Sequence, residues 1–294
     1  MPHLEHRPNL FLVGAAKSGT SWLHQRLATH PEIFMCEPKE PFYFVDPARL
    51  KKLWPEMYFN GYWKSLDAYL SLFSSAGDAK IIGESSTGYT MTPVFDEVVG
   101  KIHDFNPNAK IIYIMRHPTA RLKSHYWHHV RNRGLNLAPV EALEKQPLFL
   151  AASDYPRQLR PYLETFGREQ VYAISLERFQ ENPKLEYVNI LKWLDVEASH
   201  VPPDLTEKEH VTPPVVRSPR SPFLKRLTSH PTFARVRDAL PSAAIDQARR
   251  LTHRKIQREK VDLRDLDHEL HDLHEKQIDE LRKLLDDDFP EWRM

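Results

Sequence analysis

Short apolar runs, each separated from the next by helical periodicity, set the pattern of this chain. Leu10–Val13, Lys80–Gly83, Lys110–Met115 and Gln170–Ser175 have the length and β-rich composition of strands. Ser21–His30 places apolar residues at Trp22, Leu23 and Leu27, and Ser65–Phe73 at Leu66, Tyr69, Leu70 and Phe73, both at helical spacing. Pro118–Val130 follows the third strand, Tyr155–Phe166 precedes the fourth, and Pro183–Leu194 follows it with the composition of a buried helix. Strands alternating with helices predict an α/β fold: a central parallel sheet of about four or five strands flanked by helices on both faces. Ligands of such sheets bind beyond the carboxyl ends of the strands.

The pattern breaks at residues 195–222, where Pro202, Pro203, Pro213, Pro214, Pro219 and Pro222 exclude a helix and predict an ordered crossing or a flap. It resumes in the tail. Leu263, Leu266, Leu270, Leu273, Ile278, Leu281 and Leu284 predict one more helix, with His268, His271 and His274 on or beside that row, read as a solvated face in preference to a metal site. The expected organisation is one domain over residues 1–294, with a core at 9–195 and a Pro/Arg-rich segment and helical tail at 196–294.

Composition narrows the class. A formal charge of +1 argues against a dedicated nucleic-acid partner. The charge is nevertheless uneven. Residues 216–260 carry Arg217, Arg220, Lys225, Arg226, Arg235, Arg237, Arg249, Arg250 and Arg254, whereas 261–294 are acidic. This reads either as two solvated faces or as a basic rim over an anion. The single cysteine, Cys36, excludes an internal disulfide framework. No apolar run approaches the length of a membrane span, and the first residues lack a signal-peptide pattern. The expectation is a cytoplasmic protein with no transmembrane segment. Oligomeric state is not legible.

Chemistry enters at the end of the first strand. Gly14-Ala15-Ala16-Lys17-Ser18-Gly19-Thr20-Ser21 joins a strand to a helix N-terminus, where free backbone N–H groups and a dipole favour an anion. The glycines keep the spacing of a P-loop, but Thr20 stands where a nucleotide hydrolase has lysine, and the lysine is Lys17, inside the loop. The later strands run on into Gly83-Glu84, Arg116-His117 and Leu176-Glu177, so none ends in the aspartate that would hold Mg²⁺. The loop is P-loop-like, and no metal is expected. A second anion site follows the third strand. Arg116 stands just past it, and Ser124 lies about two helical turns later, after Pro118 at a helix start. Two phosphate sites at one sheet edge suggest a nucleotide phosphorylated at two places.

These segments resemble a known family. GAAKSGTSWL is similar to the 5′-phosphosulfate loop of sulfotransferases that use 3′-phosphoadenosine-5′-phosphosulfate (PAPS), and RHPTARLKSHY to their 3′-phosphate segment. KEPFYF, YWKSLDAYLSLF, GESSTGY and YLETFGREQVYAISLERFQENP agree in order, so the resemblance covers about residues 9–195 and comes nearest to the heparan-sulfate-type and bacterial branch. It implies that Lys17, Ser18, Gly19, Thr20, Ser21 and Trp22 bind the 5′-phosphosulfate side and that Arg116 and Ser124 hold the 3′-phosphate. In this branch a glutamate before an aromatic cluster is the base, which points to Glu40, with Glu37 as its rival. Beside Phe42 and Phe44 a carboxylate is partly desolvated, which raises its pKa. His125, His128 and His129 do not match the histidine base of the cytosolic branch.

The chain departs from the family's pattern twice. Ser85 follows Glu84 where many heparan-type members have lysine, and the late Gly/Lys-rich phosphate loop is replaced by VTPPVVRSPRSP. There Arg217 and Arg220 either close over the 3′-phosphate or belong to a basic linker. The expected reaction is transfer of the sulfuryl group to an acceptor hydroxyl, or less readily an amine, by in-line displacement. The acceptor is a small molecule, lipid, polyketide or carbohydrate. The aromatic stretch Trp54–Trp63 either lines its pocket or packs a loop. The alternatives are a Mg²⁺-dependent phosphotransferase and a non-catalytic nucleotide binder.

Overall fold

The computed structural model describes residues 6–206, 213–220, 245 and 251–292. Its strands are β1 (Leu10–Gly14), β2 (Ile33–Met35), β3 (Ile81–Ser85), β4 (Lys110–Met115), β5 (Val171–Ser175), β6 (Val215–Pro219) and β7 (His253–Gln257). The helices are α1 (Thr20–Leu27), α2 (Pro47–Leu53), α3 (Pro55–Tyr58), α4 (Leu66–Leu70), α5 (Val98–Phe105), α6 (Pro118–Arg133), α7 (Pro139–Lys145), α8 (Leu148–Ala151), α9 (Tyr155–Phe166), α10 (Leu176–Glu181), α11 (Pro183–Leu194) and α12 (Arg264–Leu285).

Five parallel strands form the central sheet in the order β2-β3-β1-β4-β5. Alternation along β1 places Phe11 and Val13 on one face and Leu10 and Leu12 on the other, all fully buried. The first face is covered by α4, α5, α9 and α12, through residues such as Tyr69, Ile102, Leu159 and Ile278. The second is covered by α1, α10 and α11, through Leu23, Leu27, Phe179 and Ile190. A third apolar cluster joins Leu122, Trp127 and Val130 of α6 to α7, to Val216 of β6 and to Leu266 and Leu270 of α12.

The order sends the chain from β1 towards β2 and from β4 towards β5, in opposite directions. Their carboxyl ends therefore flank a topological switch point, where α/β sheets bind ligands.

The strands the pattern missed have physical reasons. β2 has only three residues, too few to show a period. β6 lies inside the proline-rich segment and pairs antiparallel with β7 as a two-stranded ribbon packed on α6. Pro219 is accommodated because it closes an edge strand. The tail helix forms, but its inner row differs from the expected one: Leu273 is exposed, and His274 fills the core position between Leu270 and Ile278. The cluster at Lys225, Arg226, Arg235, Arg237, Arg249 and Arg250 lies outside the described residues. Among the described residues no helix is long and apolar enough to cross a membrane.

Candidate active site

The loop after β1 is built on two positions that only glycine fits. A Cβ on Gly14 would stand 2.2 Å from Thr90 Oγ1. Gly19 has φ 94° and would bring a Cβ to 2.9 Å from Leu176. Lys17 takes φ 73° without being glycine, and Glu40 (φ 60°) and Phe42 (φ 55°) do likewise after β2. Each such residue costs on the order of 1–2 kcal/mol. Unfavourable backbone of this kind gathers at functional sites, and here it falls in the two segments that carry the candidate chemistry.

Lys17 Nζ lies 3.3 Å from His128 Nδ1 of α6. Desolvation lowers its pKa, and Arg116, Arg131, Arg121 and Lys39 lower it further. The charges acting most strongly on Lys17 are therefore all cations, drawn from separate segments. Such a gathering is relieved by an anion placed among them. Lys39 sends its ammonium to Ser21 Oγ (3.1 Å) and Thr20 Oγ1 (3.5 Å). It thereby ties the segment after β2 to the loop, instead of making a surface pair with its neighbour Glu40. Ser18 is fully buried, with its hydroxyl beside that of Tyr155. The amides of Gly19, Thr20 and Ser21 meet no acceptor among the described residues. Cations and free amides suit a phosphate group.

Glu40 is partly buried. Its carboxylate accepts from the Thr87 amide (2.9 Å) and hydroxyl (3.1 Å), and its own amide donates to Ser85 O (2.9 Å). Burial raises its pKa, against the opposing pull of Lys39 and the two Thr87 bonds. Glu37, its rival, is exposed. Glu84 is wholly buried and accepts from Tyr69 (2.5 Å), Ser86 (2.8 Å) and Tyr89 (3.1 Å), with its pKa pushed up by burial to about 7. Ser85, at the departure from the family's lysine, is buried with its Oγ 2.8 Å from His24 Nδ1.

Across the switch point, the Arg116 backbone is clamped by the Tyr155 hydroxyl, which accepts from its amide (3.3 Å) and donates to its carbonyl. Glu177 accepts from the His117 amide (3.1 Å) and from Trp292 Nε1 (2.9 Å). The Arg116–His117 turn is thus fixed by α9, α10 and the C-terminal segment. The Arg116 guanidinium and the Ser124 hydroxyl have no polar partner among the described residues.

Arg121, which the sequence reading did not single out, is fully buried with no carboxylate bonded to it. It donates to Ser153 Oγ (2.7 Å), Phe149 O, Ala16 O (3.4 Å) and His125 Nδ1 (3.1 Å). One side chain therefore ties α6 to the phosphate loop. It lies within the RHPTARLKSHY segment, next to Leu122, with nothing in the sequence to mark it as buried.

A protein-family model described as sulfotransferase family matches residues 8–200. The chain belongs to the sulfotransferase family. The crystal structure of a sulfotransferase from Alicyclobacillus acidocaldarius is similar over 98% of this chain and 99% of that one, with TM-score 0.69 and 26% identity. Human heparan sulfate glucosamine 3-O-sulfotransferase 5 is 22% identical over 205 residues, covering 66% of this chain and 55% of the relative. The membrane-associated sulfotransferase kil1 of Dictyostelium discoideum is 32% identical over 122 residues, covering 40% of this chain and 22% of the relative. The chain thus spans less than two thirds of the length of these curated relatives.

In this member of the family the fold brings the loop residues 17–21, Lys39, Glu40, Arg116 and Ser124 to one edge of the sheet. Trp22 lies at the margin of that edge, with its ring against Phe179 at 4.9 Å and the Arg26 guanidinium 5.5 Å above it. Arg217 and Arg220 are exposed on the β6–β7 ribbon, where Arg217 pairs in register with Lys255 and the Arg220 amide donates to Thr252 O (2.8 Å). Among the described residues, no hydrogen bond joins either one to Arg116 or Ser124.

Proposed function

We propose that this chain transfers a sulfuryl group from PAPS to an acceptor hydroxyl, or less readily an amine, and that residues 1–294 act as one catalytic unit. The observation that carries this reading is the gathering around Lys17 of cations from separate segments, with Lys39 on the loop hydroxyls and the Arg116 guanidinium without a polar partner among the described residues. When bound, such a donor supplies the activated sulfuryl group. Ser18, Gly19, Thr20 and Ser21 would hold its 5′-phosphate, with Trp22 at the margin. Arg116 and Ser124 would hold the 3′-phosphate, with Arg217 and Arg220 of the ribbon closing over it. The transfer is an in-line displacement in which Glu40 takes the acceptor's proton. Desolvation of the Glu40 carboxylate strengthens it as a base. Lys17 stabilises the charge that develops on the departing phosphate oxygen. The single, buried Cys36 suits a cytoplasmic setting. Relatives named for heparan sulfate glucosamine make a carbohydrate one acceptor class to test, alongside small molecules, lipids and polyketides.

Lys17→Ala and Glu40→Gln test the reading. Each variant keeps its far-ultraviolet circular dichroism but loses transfer of labelled sulfuryl from PAPS to acceptor by at least about 100-fold, the lower end of what one acid–base group contributes. Wild-type activity in a folded Lys17→Ala protein sinks the assignment.

A further inference from the structure

We propose that the Lys39 ammonium binds the sulfuryl group of the donor, as a second cation beside Lys17, and so lets the site tell the loaded donor from the spent nucleotide. This inference rests on the sulfuryl-transfer reading above.

The backbone fixes where Lys39 can act. The segment after β2 runs past the carboxyl end of β3 and is held on either side of Lys39: the Cys36 amide donates to Gly83 O and the Glu40 amide to Ser85 O, both at 2.9 Å. From there the Lys39 side chain crosses to the start of α1, where Nζ lies 3.1 Å from Ser21 Oγ and 3.5 Å from Thr20 Oγ1. Those hydroxyls stand in the stretch read as holding the 5′-phosphate. The next residue, Glu40, is the proposed base and turns to other partners, the Thr87 amide and hydroxyl. In an in-line displacement the sulfuryl group lies between the phosphate oxygen it leaves and the hydroxyl that attacks it, and that hydroxyl must be within hydrogen-bond reach of the base. Lys39 adjoins the phosphate end through its side chain and the base through the peptide bond. It therefore borders the space that the sulfuryl group occupies.

Charge gives the same answer. An ammonium has three donors. Two go to hydroxyls, which are neutral, and the third meets no partner among the described residues. Lys39 is partly buried and forms no ion pair among the described residues, although Glu40 and Glu37 are close enough to act on it. A cation withdrawn from water without a bonded carboxylate is costly, and an anion brought to it offsets the cost. The field of Lys39 also reaches Lys17 and Glu40, one on each side of the transfer. PAPS carries the sulfuryl oxygens that Lys39 would meet, and adenosine 3′,5′-bisphosphate does not. The phosphates, common to both, fall to the loop and to Arg116.

Calorimetry with PAPS and with adenosine 3′,5′-bisphosphate, on wild type and three variants, tests this, with far-ultraviolet circular dichroism to check that each variant is folded. Lys39→Gln keeps an amide able to donate to Ser21 and loses the charge. Lys39→Met loses both, and Lys39→Arg keeps the charge. In Lys39→Gln and Lys39→Met the affinity for PAPS should fall relative to that for the bisphosphate by at least about tenfold, the lower end for a hydrogen bond to a charged group. Lys39→Arg should keep most of the wild-type ratio. A residue that only ties two segments together would weaken both ligands alike in Lys39→Met and neither in Lys39→Gln. That pattern, or a ratio unchanged in both neutral variants, overturns the proposal. A wild type that binds neither nucleotide would instead overturn the transfer reading on which the proposal depends.

Discussion

At the scale of single residues, the site is organised by side chains that satisfy one another only in part. Lys39 and Glu40 adjoin in sequence yet serve different partners: Lys39 reaches the loop hydroxyls, and Glu40 is held by Thr87. A reading by sequence identifies Glu40 from the aromatic run that follows it. It has no means of placing Lys39, whose role depends on how the segment after β2 folds back onto the first residues of α1. Arg121 and His274 were hidden for the same reason: a polar residue in a buried helix position looks like surface until its partners are known. Glu84 gives this scale its pH test. Its carboxyl is raised from an ordinary 4.5 to about 7 in the folded protein. The stability it confers is therefore complete below about pH 4.5, declines as pH rises, and is gone above about pH 7. At about 1.4 kcal/mol per pKa unit, the decline amounts to roughly 3 kcal/mol. Chemical denaturation of wild type and Glu84→Gln should show their stability difference shifting by about that amount, in favour of the variant, between pH 4 and pH 8. A difference that stays constant with pH contradicts this.

At the scale of elements, legibility followed length and periodicity. β1, β4 and β5, together with α6, α9 and α11, lie within a few residues of where the pattern places them. β3 runs two residues further than Lys80–Gly83 and so includes Glu84 and Ser85. The three-residue β2 and the proline-bearing β6 carry no usable pattern, because pairing with neighbouring strands decides them. The strand-to-helix loop was the most legible element, since its glycine spacing stands in the sequence, although the contacts that demand those glycines, with Thr90 and Leu176, lie far along the chain. Gly19→Ala should therefore act as an element-level change. A Cβ at φ 94° and 2.9 Å from Leu176 forces the loop to shift. We expect a lower Tm from roughly 1–2 kcal/mol of left-handed strain, together with weaker adenosine 3′,5′-bisphosphate binding by calorimetry. Unchanged affinity would show that the loop amides do not hold the phosphate.

At the scale of the whole molecule, the sheet order explains why the two proposed anion sites, separated by about a hundred residues, share one edge. β1 and β4 are neighbours, and the chain leaves them in opposite directions. The central claim is that this edge reads both phosphates of one nucleotide, with Arg116 answering for the 3′ position. The most direct measurement is a calorimetric comparison, in EDTA, of adenosine 3′,5′-bisphosphate with adenosine 5′-monophosphate on wild type and Arg116→Ala. The account predicts that wild type binds the bisphosphate at least about tenfold more tightly, a difference of about 1.4 kcal/mol, and that Arg116→Ala abolishes that preference. Equal binding of the two nucleotides by wild type, or a preference that survives in Arg116→Ala, would contradict it.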